Sequence, residues 1–171
     1  LLKVADLPYG RFRDKGTPLD NLCNYSSTEE EILRIEGLNA VKSTNLLFAT
    51  QQGMIKKVEG TEFDVSKRTI ASTKLTDGDK LIAVLLIGEE EQIVLQSTDG
   101  YFLRFMLEEV PVKKKAAIGV RGMKLADKDV VENVYYTKNA VETTIEYKGK
   151  ELILNNLKLG KRDSKGTKVR V

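Results

Sequence analysis

The 171-residue chain contains no histidine and no tryptophan, only one cysteine (Cys23) and three prolines. Without histidine, the commonest general base and the commonest metal ligand are both missing, which excludes histidine-based hydrolase and zinc chemistry within the chain. A lone cysteine cannot form an internal disulfide, so it fits a reducing cytoplasm, and beside Leu22 it reads as a small buried hydrophobe. Long apolar runs are missing too. The longest, "LIAVLLI" (Leu81 to Ile87), falls well short of the roughly 18 residues a membrane helix requires. The amino terminus has no basic-then-apolar secretory pattern, so no membrane association is expected.

What is present is ordinary for a globular domain: 41% hydrophobic and 31% charged residues. The net charge of +3, from 28 basic and 25 acidic side chains, says little by itself. Its distribution says more. "GRFRDKGTPL" (Gly10 to Leu19) and "GKRDSKGTKV" (Gly160 to Val169) are two versions of one basic phrase. Further copies lie between them, at "SKRTIASTKL" and "KKKAAIGVRGMKL". Arg68, Lys115 and Arg162 follow one another at 47-residue steps, as do Gly119 and Gly166. The step from Arg13 to Arg68 is 55, which places an insertion at "SSTEEE" in the first copy. "TQQGMIKKV" matches "STDGYFLRF", with "YKGKELIL" as a looser third copy, and "LTDGDKLIAV" matches "LADKDVVENV". A period of this length is the mark of stacked supersecondary units, of which propeller-like blades are the usual kind. The units divide as 1–43, 44–90, 91–140 and 141–171, within a single domain.

Each unit reads as β. "NLLFAT", "LIAVLLI", "QIVLQS", "YFLRFM" and "VETTIEY" are short, rich in β-branched and aromatic residues, and bounded by glycine or acidic turns. Gly53 and Gly100 supply the positive φ of tight hairpins. Leu81 to Ile87, lacking polar alternation, is expected as an inner strand covered on both faces, and Arg104 on an exposed face. "TEEEILRI" is too short for a convincing helix. The expected fold class is all-β and bladed.

In such a fold, equivalent positions of successive blades share one edge. Arg11, Arg13 and Lys15, then Lys67 and Arg68, then Lys113, Lys114, Lys115 and Arg121, then Lys161, Arg162, Lys165 and Lys168 are therefore expected to form one curved basic band, while acidic runs such as "EEE" gather elsewhere. Basic loops ordinarily serve solvation and the protection of sheet edges, but their repetition on one edge fits polyanion binding. Gly16, Gly119, Gly122 and Gly166 would let the main chain approach phosphates, and Thr17, Thr69 and Thr167 add hydroxyl donors. With no recognition helix and no tryptophan for base stacking, sequence-tolerant binding to a bent duplex is the expectation. A rim that binds an acidic protein partner and a stand-alone nucleic-acid-binding repeat protein remain the alternatives. Asp77, Asp79, Asp127 and Asp129 read as turn residues rather than calcium ligands. No metal, cofactor or catalytic residue is expected, since no phosphate loop and no nucleophile–base pair stands in the chain.

"LLKVADLPYGRFRDKGTPLDNL", "GMIKKVEGTEF", "LTDGDKLIAV", "STDGYFLRF" and "IGVRGMKL" resemble the carboxy-terminal domain of bacterial type IIA topoisomerase A subunits, those of DNA gyrase and topoisomerase IV. The resemblance implies a β-pinwheel, propeller-like blades of about four antiparallel strands with a strand exchanged between neighbours, whose basic rim wraps duplex DNA without sequence specificity. It also implies a parent enzyme that passes one duplex through another using ATP and Mg at sites elsewhere. The partners it implies, besides the duplex, are the ATPase B subunit and the catalytic core of the same polypeptide, in the cytoplasm at the nucleoid. The glutamine-arginine-arginine-glycine-glycine box of gyrase is not in this chain, which leans the reading towards the topoisomerase IV type or an undifferentiated gyrase-like A subunit. The chain opens mid-blade, shows about three and a half units, and weakens in resemblance over Ala140 to Leu159.

Overall fold

The computed structural model describes residues 1–170, and among these the regular structure is almost entirely β. The first hairpin pairs β1 (Asn45–Thr50) with β2 (Met54–Glu59), and the second pairs β4 (Gln92–Ser97) with β5 (Tyr101–Met106), the two related by the 47-residue step. Their turns close on Gly53 and Gly100, with φ of 80° and 81° as the sequence suggested. A third strand, β3 (Leu81–Leu86) or β7 (Val131–Thr137), returns to pair with the first strand of its own hairpin.

The fourth strand comes from further along the chain. After the second hairpin the chain crosses back, and β6 (Val120–Arg121) pairs with β2, giving the order β3-β1-β2-β6. After a third hairpin, β8 (Thr144–Tyr147) and β9 (Lys150–Ile153), it crosses back again. There β10 (Thr167–Lys168) pairs with β5, giving β10-β5-β4-β7. Met54 opposes Arg121, and 47 residues later Tyr101 opposes Lys168. The sequence period is thus the period of the strand exchange.

Blade faces pack on one another, which explains strands with little polar alternation. Leu47 and Ala49 face the core between the first two blades, with Ile93, Leu95, Leu103 and Phe105, while Leu46 and Phe48 face the opposite side. Val94 and Phe102 turn away from the main core to meet Leu154 and the third hairpin. The inner strands are therefore those of the two hairpins, β1 and β2 in the first blade and β4 and β5 in the second. This corrects the expectation for Leu81 to Ile87: β3 is an edge strand, half-buried throughout. Its apolar run is needed all the same, because Ile82 and Leu85 meet the main core while Leu81 and Val84 meet the second cluster.

Two further expectations change. Residues 1–44 contain no strand, only 3₁₀ turns and a short helix, α1 (Leu38–Lys42), so the first unit is not a blade. Arg104 is buried rather than exposed, for a reason given below. Cys23 is half-buried and its thiol faces the Leu19 carbonyl oxygen. No helix among the described residues is long and apolar enough to cross a membrane.

The aspartates at the strand starts are turn residues with a specific task. Asp79 accepts the Gln52 N–H at 2.8 Å and Asp129 accepts the Asp99 N–H at 2.9 Å, so each buried carboxylate caps the hairpin turn of its own blade. Burial alone would raise the Asp129 pKa. The donors outweigh it (the Asp99 N–H, the Ser97 and Thr98 hydroxyls and the Val130 N–H), and the carboxyl lies below its ordinary 3.8. A depressed native pKa means stability that is present above the unfolded value and lost as pH falls through the native one. Asp129→Asn should therefore cost about 1–3 kcal/mol at neutral pH. In denaturation experiments that deficit should shrink below about pH 4. A deficit that stays constant down to pH 2 would contradict the role.

Candidate nucleic-acid interface

In its third and fourth copies the basic phrase runs beside the edge of a blade, because the segment that carries it supplies the exchanged strands β6 and β10. Lys113 enters this edge by donating its N–H to the Lys57 carbonyl at 2.8 Å, and Gly160 does the same to Arg104 at 2.7 Å, one period later. The loop is then fixed from below. Lys56, only 1% exposed, donates its ammonium to the carbonyls of Lys114, Lys115 and Ala117 at 3.2, 2.8 and 2.7 Å. Burial holds the Lys56 pKa below its ordinary value. Arg104 serves the next loop, bonding Gln92 Oε1 at 2.8 and 2.6 Å and the carbonyls of Asn155 and Leu157. A cation inside the sheet is stable here because strand exchange brings it carbonyls from about 50 residues away.

The phrase's own cations divide into two groups. Lys67, Lys114 and Lys161, at successive 47-residue steps, are all exposed, and so are Arg121 and Lys168. Lys165 and Lys168 lie over the Tyr101 ring, 4.4 and 5.4 Å from its centroid. Lys115 and Arg162, also 47 apart, are half-buried and bonded internally. Lys113 is half-buried as well. Arg121 pairs with Asp163, whose hydrogen bond raises the arginine pKa further while lowering that of the aspartate. Arg68 pairs with Asp6 at 3.1 Å. Arg11, Arg13 and Lys15 are exposed in the segment that precedes the first strand.

Successive copies of the phrase touch. Arg162 donates to the Arg121 carbonyl at 2.6 Å, Asp163 to that of Gly122 at 2.7 Å, and Lys124 to that of Ser164 at 2.9 Å. The third and fourth copies thus form one continuous surface.

The glycines play a part other than the expected one. A Cβ on Gly119 would meet the Ile55 carbonyl oxygen at 2.7 Å, and on Gly166 that of Phe102 at 2.5 Å. A Cβ on Gly122 would meet Ile55 at 2.9 Å. These three bring the phrase onto the blade instead of bringing a phosphate onto the phrase. Gly16 alone of the four meets nothing within 4 Å.

Sequence reasoning missed Lys74, which is exposed and precedes Arg121 by 47 residues, so the period itself could have found it. It also missed Lys56 as a support, for which an unpaired lysine in a strand gives no signal. Among the described residues, no group of three metal-ligating side chains comes together.

Comparisons with known proteins give the family and the fold. The family described as "DNA gyrase C-terminal domain, beta-propeller" matches residues 44–87 and 91–138, the two complete blades. The chain belongs to that family. It is 36% identical over 137 residues to the A subunit of DNA topoisomerase 4 from Streptococcus pneumoniae, covering 77% of this chain and 16% of that protein. It is 34% identical over 131 residues to the A subunit of DNA gyrase from Chlamydia pneumoniae, covering 75% and 16%. Among solved structures, the C-terminal domain of DNA topoisomerase IV superposes with a TM-score of 0.82 at 25% identity, over 96% of this chain and 53% of that one. The gyrase A C-terminal domain gives 0.71 at 26%, over 90% and 53%. The fold is the β-pinwheel of this family, and the chain spans about a sixth of the curated proteins it matches.

Proposed function

We propose that the chain binds duplex DNA along the outer edge of its blades, as the C-terminal part of a type IIA topoisomerase A subunit. The observation that carries this reading is periodic. Lys67, Lys114 and Lys161 form one series of exposed cations at 47-residue steps, and Lys74, Arg121 and Lys168 form a second. A duplex following both series meets positive charge at every blade and must curve to do so, through phosphate contacts that carry no base information. Among the described residues the longest helix has five residues, too short to read a major groove. Arg11, Arg13 and Lys15 extend the same charge beyond the blades. In the parent enzyme, strand passage, ATP and Mg belong to the catalytic core and the B subunit. This chain would hold and bend the duplex in the cytoplasm, at the nucleoid, and be inactive on its own.

Salt dependence tests the reading. Each neutralised phosphate contributes roughly −0.9 to the slope of log affinity against log salt. Replacing Lys67, Lys114 and Lys161 together with Ala should flatten that slope by about two to three units. The fold should survive, since solvated positions seldom cost more than about 0.5 kcal/mol each. Replacing Lys138, Lys148 and Lys150, in or beside the third hairpin and outside both series, should change it much less. Equal losses in both triple variants would reduce binding to diffuse charge. No binding at low salt would favour an acidic protein partner.

A further inference from the structure

Two glutamates stand inside the basic edge, where their charge opposes a polyanion. Glu62 lies in the 3₁₀ turn Gly60–Phe63 after the first hairpin, and Glu109 ends the turn Leu107–Glu109 after the second, 47 residues later. Each reaches 53 residues along the chain to the loop that has crossed back beside it. Glu62 Oε2 accepts the Lys115 backbone N–H at 2.9 Å, and the Lys115 ammonium donates to the Glu62 carbonyl at 2.7 Å. Glu109 Oε2 accepts the Arg162 N–H at 2.9 Å, and Arg162 Nε donates to the Glu109 carbonyl at 3.0 Å. The same two-way bond thus occurs twice, at equivalent places. In both cases the residue just before the clamped one, Lys114 or Lys161, is exposed and belongs to the periodic series. Glu62 Oε1 also lies 3.3 Å from the Lys114 ammonium, which remains 80% exposed.

We propose that Glu62 and Glu109 are positioning residues for DNA contact, clamping each loop so that Lys114 and Lys161 project from the edge at the blade spacing. The inference rests on the DNA-binding reading above. A carboxylate that only neutralises nearby charge weakens DNA binding by its presence. One that orders the loop strengthens it, because a prearranged cation loses less freedom when it meets a phosphate. The two roles predict opposite signs.

The test is a salt-controlled binding titration of the 171-residue chain with a mixed-sequence linear duplex. The Glu62→Ala/Glu109→Ala pair should bind about three- to tenfold more weakly than wild type, the loss expected when one or two phosphate contacts slacken. The Glu62→Gln/Glu109→Gln pair keeps an oxygen for each N–H and removes two negative charges, so it should bind at least as tightly as wild type. Hydrogen exchange at the Lys115 and Arg162 amides should speed up in the Ala pair and not in the Gln pair. An Ala pair that binds as well as wild type, or better, overturns the proposal while leaving DNA binding intact. A wild type that ignores the duplex at low salt overturns both. If the Ala pair does not fold, Glu62→Asp/Glu109→Asp keeps the charge but draws it back by one methylene. Weaker binding by that pair supports the clamp, and unchanged binding overturns it.

Discussion

Replacing Arg104 with Ala should lower the unfolding free energy by about 2–4 kcal/mol, although the position is an arginine in a strand. The side chain is buried on β5 and its guanidinium joins three parts of the chain: Gln92 on β4, and the carbonyls of Asn155 and Leu157 where the chain leaves the third hairpin. Truncation leaves both carbonyls without this donor, while Gln92 Oε1 keeps only the Thr137 hydroxyl at 3.1 Å. The cost is the desolvation of groups left unpaired, more than the mean worth of a hydrogen bond. Arg104→Lys should be intermediate, since an ammonium carries the charge but cannot fork between Gln92 and two carbonyls. Equilibrium denaturation measures this directly. A loss below about 0.5 kcal/mol for Arg104→Ala, the ordinary cost of a surface change, would show that the third hairpin docks without it.

Arg104 also shows where the sequence stops being legible. Strand positions were readable from β-branched and aromatic runs, and the hairpins from Gly53 and Gly100, because those signals act over a few residues. The period was readable because the strand exchange repeats every 47 residues and constrains both ends of each contact. A cation in a strand normally points to water, so Arg104 looked exposed and Lys56 gave no signal of burial. Their carbonyl partners arrive from segments 51 to 61 residues away, and only the completed topology brings them there. The same limit hid the clamp residues, since Glu62 and Glu109 resemble any acidic turn until their partners, 53 residues on, are in place. The run Leu81 to Ile87 failed in the opposite direction. Its hydrophobicity showed that two faces are covered, but not that an edge strand has them covered by the second blade on one side and by Val41 and Phe63 beside its own hairpin on the other. The exposure of Lys67, Lys114 and Lys161 needed no knowledge of their contacts, whereas Lys115 and Arg162 in the same phrase are half-buried because of theirs.

Gly166→Ala is expected to cost about 3 kcal/mol or more and to weaken DNA binding at the same time. Two penalties combine at this position. Gly166 has φ of 80°, where a side chain adds about 1–3 kcal/mol of strain. The new Cβ would also lie 2.5 Å from the Phe102 carbonyl oxygen, and that oxygen belongs to β5 in the middle of a blade, so β10 must yield. β10 is only Thr167–Lys168, and displacing it removes the whole exchanged strand. Lys168 then leaves its place opposite Tyr101, taking one member of the second cation series off the edge. Gly119→Ala should do the same to β6 and Arg121 at smaller cost, about 1–3 kcal/mol, because its penalty is overpacking against Ile55 without a positive φ. Gly37→Ala is the control: a Cβ there meets nothing within 4 Å, and the change should stay within about 0.5 kcal/mol. If strand exchange sets the blade edge, Gly166→Ala loses stability and flattens the salt slope by about one unit together. A variant that loses stability but keeps the full slope would mean that Lys168 faces no phosphate. The second series would then be part of the fold and not of the interface.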